Sequence, residues 1–263
     1  MGIPVPFGQY VPIDSPVHRL EPRVKLALVA CYTVVLFASA GWSGLGLATV
    51  LVVLTLLLSR VPWHLALRGL RPVAVLLLLT VTMNALRWNP ADSLLRLGSL
   101  GISRAGLLTG LYFAARIILL VTGTSLLTLT TSPVALTDAL SRLMMPLRPL
   151  RFPVDDVAMM FSIALRFIPT TAEEAEKIVV AQAARGARFD EGGVLRRARA
   201  WVPVLIPLFV NLFRRADNLA LAMESRCYTG QRRTRLHASR MRASDWATLL
   251  VGVTVAVYAT IVL

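Results

Sequence analysis

Long uncharged apolar runs alternate with short polar segments along this chain of 263 residues. Five of these runs resemble membrane-spanning helices, since a helix needs about 20 apolar residues to cross the hydrocarbon core of a bilayer. The second and third are the shortest of the five. The pattern predicts an all-α integral membrane protein with spans at roughly 25–40, 43–58, 72–87, 104–130 and 244–263.

The segment 131–243 departs from this pattern, because it is rich in charge and yet predicts long helices. Ser132 followed by Pro133 is typical of a helix start, with serine as the N-cap and proline at the first helical position. Pro146 and Pro149 end that short helix. We therefore divide the chain into spans in 1–130, a cytoplasmic domain in 131–243 and a last span in 244–263.

Two long helices follow within the cytoplasmic domain. The first opens at Asp155 and Asp156, since acidic side chains favour a helix N-terminus, and it runs to about Arg185. Gly186 is typical of its C-terminal cap. The second runs from about 195 to 226.

We expect these two helices to cross and to pack on each other through their apolar faces. The alternative is that 157–170 and 201–213 are further membrane spans, which would give six or seven in all. Arg166, Arg214 and Arg215 argue against deep exposure of these stretches to lipid. The apolar faces consist of Val157, Met160, Phe161, Ala164, Leu165 and Ile168 on the first helix, and Leu205, Leu208, Phe209 and Leu212 on the second.

The charge of the chain sets its predicted orientation. The formal net charge is +14, from 28 Lys and Arg against 14 Asp and Glu. Most of the basic residues fall on one side of the membrane if the N-terminus is cytoplasmic, as the positive-inside rule requires. We therefore predict a multi-pass protein with its N-terminus in the cytoplasm. The basic excess is assigned to the membrane surface and to protein partners, not to nucleic acid.

The sequence lacks the motifs that are typical of ATP binding and of metal binding. Neither lysine follows a glycine, so there is no Gly-Lys-Ser/Thr loop for ATP phosphates. His18, His64 and His237 lie far apart, and no cluster has the spacing of a metal site. We predict a protein that is not an enzyme, with no catalytic residue, no metal ligand and no cofactor.

One alternative is a membrane-embedded serine hydrolase. Residues 41–44, Gly-Trp-Ser-Gly, match the Gly-x-Ser-Gly loop of rhomboid proteases, with Ser43 as nucleophile. That chemistry needs a histidine base on the same side of the membrane. The predicted topology places Ser43 outside, and His64 and His237 inside. A tight turn between two helices is the simpler interpretation.

Arg116 lies within the fourth predicted span and is a functional candidate for that reason, since an ionisable residue inside a membrane is costly. The alternative role is structural, with its guanidinium bound to groups inside the helix bundle. In the same span, Gly106, Gly110 and Ala114 form a stripe of small residues suited to close helix packing.

Two arginines share one local pattern at the ends of the long cytoplasmic helices. Each lies in a last helical turn between small residues, where a cation interacts favourably with the helix dipole. Small neighbours let a helix end enter a groove, and the guanidinium then binds carboxylates or carbonyls of a partner. The two motifs are Ala184-Arg185-Gly186 and Ser225-Arg226-Cys227.

These motifs resemble those of the T component of energy-coupling factor (ECF) transporters, a branch of the ABC importers. The second departs from the family's Ala-Arg-Gly at both flanks, but Ser225 and Cys227 are also small. The resemblance covers nearly the whole chain. Its other elements are Arg23-Val24-Lys25, Leu129-Thr130-Thr131-Ser132-Pro133, Pro146-Leu147-Arg148 and Leu165-Arg166-Phe167-Ile168-Pro169.

The resemblance implies a coupling subunit in a bacterial or archaeal cell membrane. Such a subunit docks both motif ends into two ABC ATPase subunits, as a homodimer or heterodimer. It also holds a separate substrate-binding membrane protein, the S component, for uptake of a vitamin or of cobalt, nickel or another transition metal. A stand-alone permease, working without an ATPase, is a further alternative.

Overall fold

The computed structural model describes residues 10–38, 41–88, 93–97, 100–146, 153–229 and 241–262. Helices dominate this part of the chain. The helices are α1 (Pro16–Arg19), α2 (Pro22–Ala38), α3 (Trp42–Ser59), α4 (Trp63–Arg68), α5 (Ala74–Ala85), α6 (Arg104–Thr130), α7 (Pro133–Leu143), α8 (Val154–Ala184), α9 (Val194–Glu224) and α10 (Ala243–Val262).

The chain folds into two compact units. The membrane unit comprises the described residues within Gly8–Ala139 and Ser239–Leu263, and therefore joins the last helix to the first ones. The hairpin unit comprises the described residues within Leu140–Ala238, which include α8 and α9.

Three helices of the membrane unit are long and apolar enough to cross a bilayer. They are α3, α6 and the Ala243–Thr260 part of α10. Helix α5 is apolar but has only 12 residues, and α2 has 17. The two longest helices of the chain, α8 and α9, are not among the candidate spans, because charged side chains interrupt their apolar stretches.

The core of the membrane unit lies between α2, α3 and α6. Tyr32 on α2 donates a hydrogen bond to the carbonyl oxygen of Leu119 on α6, at 2.9 Å, and so ties these two helices together. The buried side chains around it are aliphatic: Leu36, Leu45, Ala48, Val52, Leu126 and Leu129.

The small-residue stripe of α6 packs inside the protein, against α5. A Cβ built on Gly110 would lie 3.0 Å from the Cα of Val81, and one on Gly106 would overlap the carbonyl oxygen of Asn84. Ala114, one turn further along the stripe, is also buried. Since real Cβ atoms do not approach backbone so closely, the two glycines allow the contact between α5 and α6.

A small antiparallel sheet connects α5 to α6 and was not predicted from the sequence. Its strands β1 (Leu86–Trp88), β2 (Ser93–Leu97) and β3 (Leu100–Ser103) lie in the order β1-β3-β2. Leu86 pairs with Ile102, and Leu97 pairs with Leu100. The prediction of an all-α membrane protein is confirmed, with this sheet as a local addition.

In the hairpin unit, α8 and α9 run antiparallel in a defined register. Three pairs of residues join them by side-chain hydrogen bonds, and the partner's number on α9 falls as the number on α8 rises. These pairs are Thr170 with Arg215, Glu174 with Asn211, and Gln182 with Pro203.

This register corrects the predicted packing of the two apolar faces. The face at 157–168 was expected to meet the face at 205–212, but the observed register places residue 168 level with about residue 217. Much of both faces consequently stays exposed. The large exposed side chains among them are Met160, Phe161, Ile168, Leu205 and Phe209.

Candidate functional site

The first predicted motif forms the C-terminal cap of α8. The amide of Gly186 donates to the carbonyl oxygen of Ala183 (2.9 Å), and the amide of Ala187 donates to that of Gln182 (3.0 Å). The second bond, to a carbonyl oxygen five residues earlier in the chain, is characteristic of a Schellman cap. Gly186 has a φ of +90°, which glycine adopts at little cost because it lacks a Cβ.

The second motif forms the same cap at the end of α9. The amide of Cys227 donates to the carbonyl oxygen of Glu224 (2.9 Å), and the amide of Tyr228 donates to that of Met223 (3.0 Å). Cys227 takes the left-handed conformation here, with a φ of +55°. A residue with a side chain is held in this conformation at a cost of roughly 1–2 kcal/mol.

The two arginines therefore occupy equivalent positions. Arg185 donates its amide to the carbonyl oxygen of Gln182, and Arg226 donates its amide to that of Met223, both at 3.1 Å. Each arginine directly precedes the left-handed residue of its cap. The resemblance between the motifs in sequence is thus also a resemblance in backbone geometry.

Both motifs are open to a partner. All six residues, Ala184 to Gly186 and Ser225 to Cys227, are exposed. Within the described part of the chain, neither Arg185 nor Arg226 has a side-chain hydrogen bond or an ion pair. Each guanidinium can therefore bind carboxylate or carbonyl oxygens of another molecule through two parallel N–H groups.

Ser225 differs from the alanine of the first motif only in its hydroxyl group. That hydroxyl donates to the carbonyl oxygen of Ala222 (3.1 Å) and so stays close to its own helix. The substitution consequently adds little bulk beside Arg226.

The antiparallel register places the two helix ends far apart. By the observed pairing, Arg185 lies level with about residue 200 of α9, whereas Arg226 lies about 26 residues beyond. At a rise of about 1.5 Å per residue, the two arginine-bearing ends are about 40 Å apart. The arrangement therefore offers two similar docking ends, one at each extremity of the hairpin unit.

Arg116 has a local role in the membrane unit. Its guanidinium carbon lies 4.8 Å from the ring centroid of Tyr112 and 5.8 Å from that of Phe37, and it donates a hydrogen bond to the Tyr112 hydroxyl. These distances are typical of cation–π contacts. The aromatic rings of Phe37 on α2 and Tyr112 on α6 thus stabilise the positive charge of Arg116.

Lys25 connects two of the segments that carry the family resemblance. Its ammonium group is buried and donates to the carbonyl oxygen of Thr130 (2.9 Å), to Oγ1 of Thr131 (3.4 Å) and to the carbonyl oxygen of His18 (3.3 Å). The two carbonyl oxygens belong to the last turns of α1 and α6, where carbonyl groups lack intrahelical partners. Both segments were recognised in the sequence, but the contact between them was not predicted.

A polar group between α8 and α9 was also missed from the sequence. Thr170 and Glu174 on one helix, and Asn211 and Arg215 on the other, each form an i, i+4 pair. That spacing places each pair on one helix face and was the signal available. Leu147, Arg148, Pro149 and His237, to which predictions were attached above, lie outside the described residues.

Metal-binding and nucleophilic chemistry find no support in the described residues. No group of three or more His, Cys, Asp or Glu side chains within them is placed to hold a metal ion. Ser43 lies in the first turn of α3. His18 contacts Ser15 and the carbonyl oxygen of Val11, and His64 packs against the ring of Trp63.

Residues 14–237 match the protein family described as "Cobalt transport protein" (CbiQ). The chain is also similar to curated proteins named "Energy-coupling factor transporter transmembrane protein EcfT". The one from Thermosediminibacter oceani is 45% identical over 94% of this chain and 93% of its own length. That from Heliobacterium modesticaldum is 44% identical over 98% and 96%, respectively.

The chain belongs to the EcfT family. A third relative, from Thermanaerovibrio acidaminovorans, is 46% identical over 96% of this chain. As a member of the family, the chain is the transmembrane component of an energy-coupling factor transporter and is not an enzyme. The serine hydrolase alternative at Ser43 is not supported, since the curated relatives are named as transporter components.

Proposed function

We propose that this EcfT family member is the coupling subunit of an ABC importer and transmits ATP-driven motion to a substrate-binding membrane protein. The observation that carries the proposal is the pair of equivalent, exposed arginine-bearing ends at Arg185 and Arg226, whose side chains have no hydrogen bond or ion pair among the described residues. Two equivalent ends suit two equivalent grooves, as in a homodimer or pseudosymmetric heterodimer of ATPase subunits.

In this account, each ATPase subunit receives one helix end. The small residues beside each arginine let the last helical turn enter a groove, where the guanidinium binds carboxylate or carbonyl oxygens. When the ATPases move on binding ATP, both ends move with them. Helices α8 and α9, of 31 residues each, carry that motion through backbone hydrogen bonds that run along the helix axis.

The S component binds an apolar surface in this proposal. Phe209 on α9 is exposed, and so are Met160, Phe161 and Ile168, whose spacing places them on one face of α8; an exposed apolar area of this kind is unusual for a surface that faces water. This area supports contact with another membrane protein. The S component selects the cargo, which is a vitamin or a transition-metal ion such as cobalt or nickel.

The proposed orientation has the N-terminus and the hairpin unit in the cytoplasm of a bacterial or archaeal cell. The positive-inside distribution of arginine supports it, and so does the need for α8 and α9 to reach ATPases on that side. The division into spans within 1–130, coupling helices within 131–243 and a final span within 244–263 forms part of the same proposal.

Reversing both charges tests the docking proposal. The variant Arg185→Glu/Arg226→Glu should insert in the membrane normally and lose copurification of the ATPase subunits, because glutamate repels the carboxylates that arginine binds. The matched control is Arg166→Glu/Arg214→Glu, which makes the same change in net charge at exposed mid-helix positions. Undiminished ATPase copurification by the first variant would contradict the proposal.

A further inference from the structure

Glu174 joins α8 to α9 through two hydrogen bonds. Its Oε1 accepts from the Asn211 side-chain amide (2.6 Å), and its Oε2 accepts from the Arg215 guanidinium (3.1 Å). One carboxylate on α8 therefore binds two residues that lie one turn apart on α9. Because both oxygens are engaged, the contact fixes the position along the helix as well as the distance between the helices.

Arg215 extends this contact by a further turn of α8. A second nitrogen of its guanidinium donates to the Thr170 hydroxyl (3.0 Å), and its guanidinium carbon lies 5.4 Å from the ring centroid of Phe167. The Glu174 and Arg215 side chains are only 22% and 33% exposed, so water screens their attraction less than at an open surface. We call these four residues, Glu174, Asn211, Arg215 and Thr170, the register clamp.

Gln182 adds a second contact in the same register. Its side-chain amide donates to the carbonyl oxygen of Pro203 (3.4 Å). That oxygen lacks its usual helical donor, because the residue four positions later is Pro207, which has no N–H group. A side chain of α8 thus compensates for a defect in α9, and it does so only if the helices keep this alignment.

Apolar contacts alone would specify the alignment of two helices poorly. Leucine, methionine and phenylalanine side chains exchange neighbours at modest cost, whereas a polar pair that loses its partners when shifted selects one register. A slip of one helical turn would move α9 by about 5.4 Å along α8. It would separate the Glu174 carboxylate from both of its donors.

We propose that Glu174 is a positioning residue, and that the register clamp sets the distance between the docking ends at Arg185 and Arg226. This inference rests on the proposed docking of both ends to the ATPase subunits. Because this distance is fixed, a movement of one docking end is transmitted to the other docking end. With the clamp broken, α8 and α9 slide, and motion of the ATPases is absorbed within the hairpin unit.

The distance can be measured in the full chain without any ATPase. Spin labels at Ala181→Cys and Ala222→Cys, two exposed positions near the docking ends, report it by double electron–electron resonance in lipid nanodiscs. The two native cysteines are first replaced, as Cys31→Ser and Cys227→Gly. We expect a single narrow distance distribution for the chain with an intact clamp.

Breaking the clamp from either helix should broaden that distribution or add a second distance. Glu174→Ala removes the contact from α8, and Arg215→Gln removes it from α9. If one of these variants fails to fold, the other still tests the proposal. The charge swap Glu174→Arg/Arg215→Glu restores the ion pair and should recover the narrow distribution. The matched control is Glu173→Ala, an exposed glutamate on the adjacent position. Wild-type distributions in both clamp variants would overturn the proposal.

Measurements on the assembled transporter distinguish this proposal from the docking proposal. A clamp variant keeps both arginines, so it should copurify the ATPases while ATP hydrolysed per substrate imported rises by about fivefold or more, the lower end of usual allosteric couplings. An unchanged ratio would overturn the role of the clamp. If instead the double arginine reversal keeps its ATPases, the docking proposal fails while the measured effect of Glu174 on distance still stands.

Discussion

Gly186 and Cys227 take the same left-handed backbone conformation at the ends of α8 and α9, with φ values of +90° and +55°. Each directly follows the arginine of its motif, and each closes its helix with the same pattern of hydrogen bonds. Because the backbone of the two ends is equivalent, differences in docking strength between them should come from side chains alone.

Cys227→Gly should stabilise the end of α9. Glycine relieves the cost of the left-handed conformation but adds freedom to the unfolded chain, so we expect a net gain of about 0.5–1 kcal/mol. The measurement is thermal unfolding of the purified protein in detergent. ATPase copurification should be retained, since glycine is the residue found in the first motif.

The matched substitution at the other end has the opposite sign. Gly186→Ala places a side chain in the left-handed conformation, where nothing within 4 Å obstructs the added Cβ. A clash with other described residues therefore does not contribute, and the expected loss of about 1 kcal/mol comes from the left-handed backbone alone. If both substitutions changed stability in the same direction, the equivalence of the two caps would be wrong.

Lys25→Met should destabilise the membrane unit. It removes the buried ammonium that binds the Thr130 carbonyl, the Thr131 hydroxyl and the His18 carbonyl. Leaving these oxygens without a donor should cost about 1–3 kcal/mol. Lys177→Met, at the exposed second lysine, is the control and should leave the thermal midpoint unchanged. An equal midpoint for both variants would contradict this role of Lys25.

The protein should lose stability as the pH falls through the range in which His18 titrates. Burial lowers the pKa of His18 below its ordinary value, and the nearby positive charge of Lys25 lowers it further, against smaller opposing effects of the hydrogen bonds to the Val11 and Leu129 backbone and of the Asp14 charge. The unfolded chain then binds the proton more readily, so stability decreases from about pH 7 towards pH 5. His18→Gln should flatten this part of the curve; a curve of unchanged slope would refute the assignment.

Cys227 reports on which side of the membrane the hairpin unit lies. It is exposed, whereas Cys31 lies within α2 and is replaced by serine for this experiment. A membrane-impermeant maleimide should label Cys227 in inside-out vesicles and leave it unlabelled in right-side-out vesicles. The reverse pattern would contradict the proposed orientation.

Much of the architecture was predictable because local signals agree with the final structure. The acidic residues Asp155 and Asp156 and the cap at Gly186 were predicted to bound a helix, and α8 extends over Val154–Ala184. The arginine motifs were visible because small residues flank Arg185 and Arg226 in the sequence. These features depend on neighbours in the chain, which a sequence displays directly.

Other features depend on contacts between distant segments. The strands of 86–103 have only three to five residues each and too little alternation to be distinguished from loop. The alignment of Glu174 with Asn211 follows from how α8 and α9 pack, and the predicted pairing of their apolar faces was wrong for that reason. Likewise, no local pattern indicates that Lys25 binds the end of α6.

Alkylation of Cys227 in the assembled transporter tests the central claim most directly, since this thiol lies beside Arg226 at a docking end. In membranes that carry Cys31→Ser alone, a maleimide should modify Cys227 rapidly when the EcfT protein is expressed without ATPases. Coexpression of the ATPase subunits should protect it, and adding Arg226→Glu should restore rapid labelling. Equal labelling rates with and without the ATPases would contradict docking at this end.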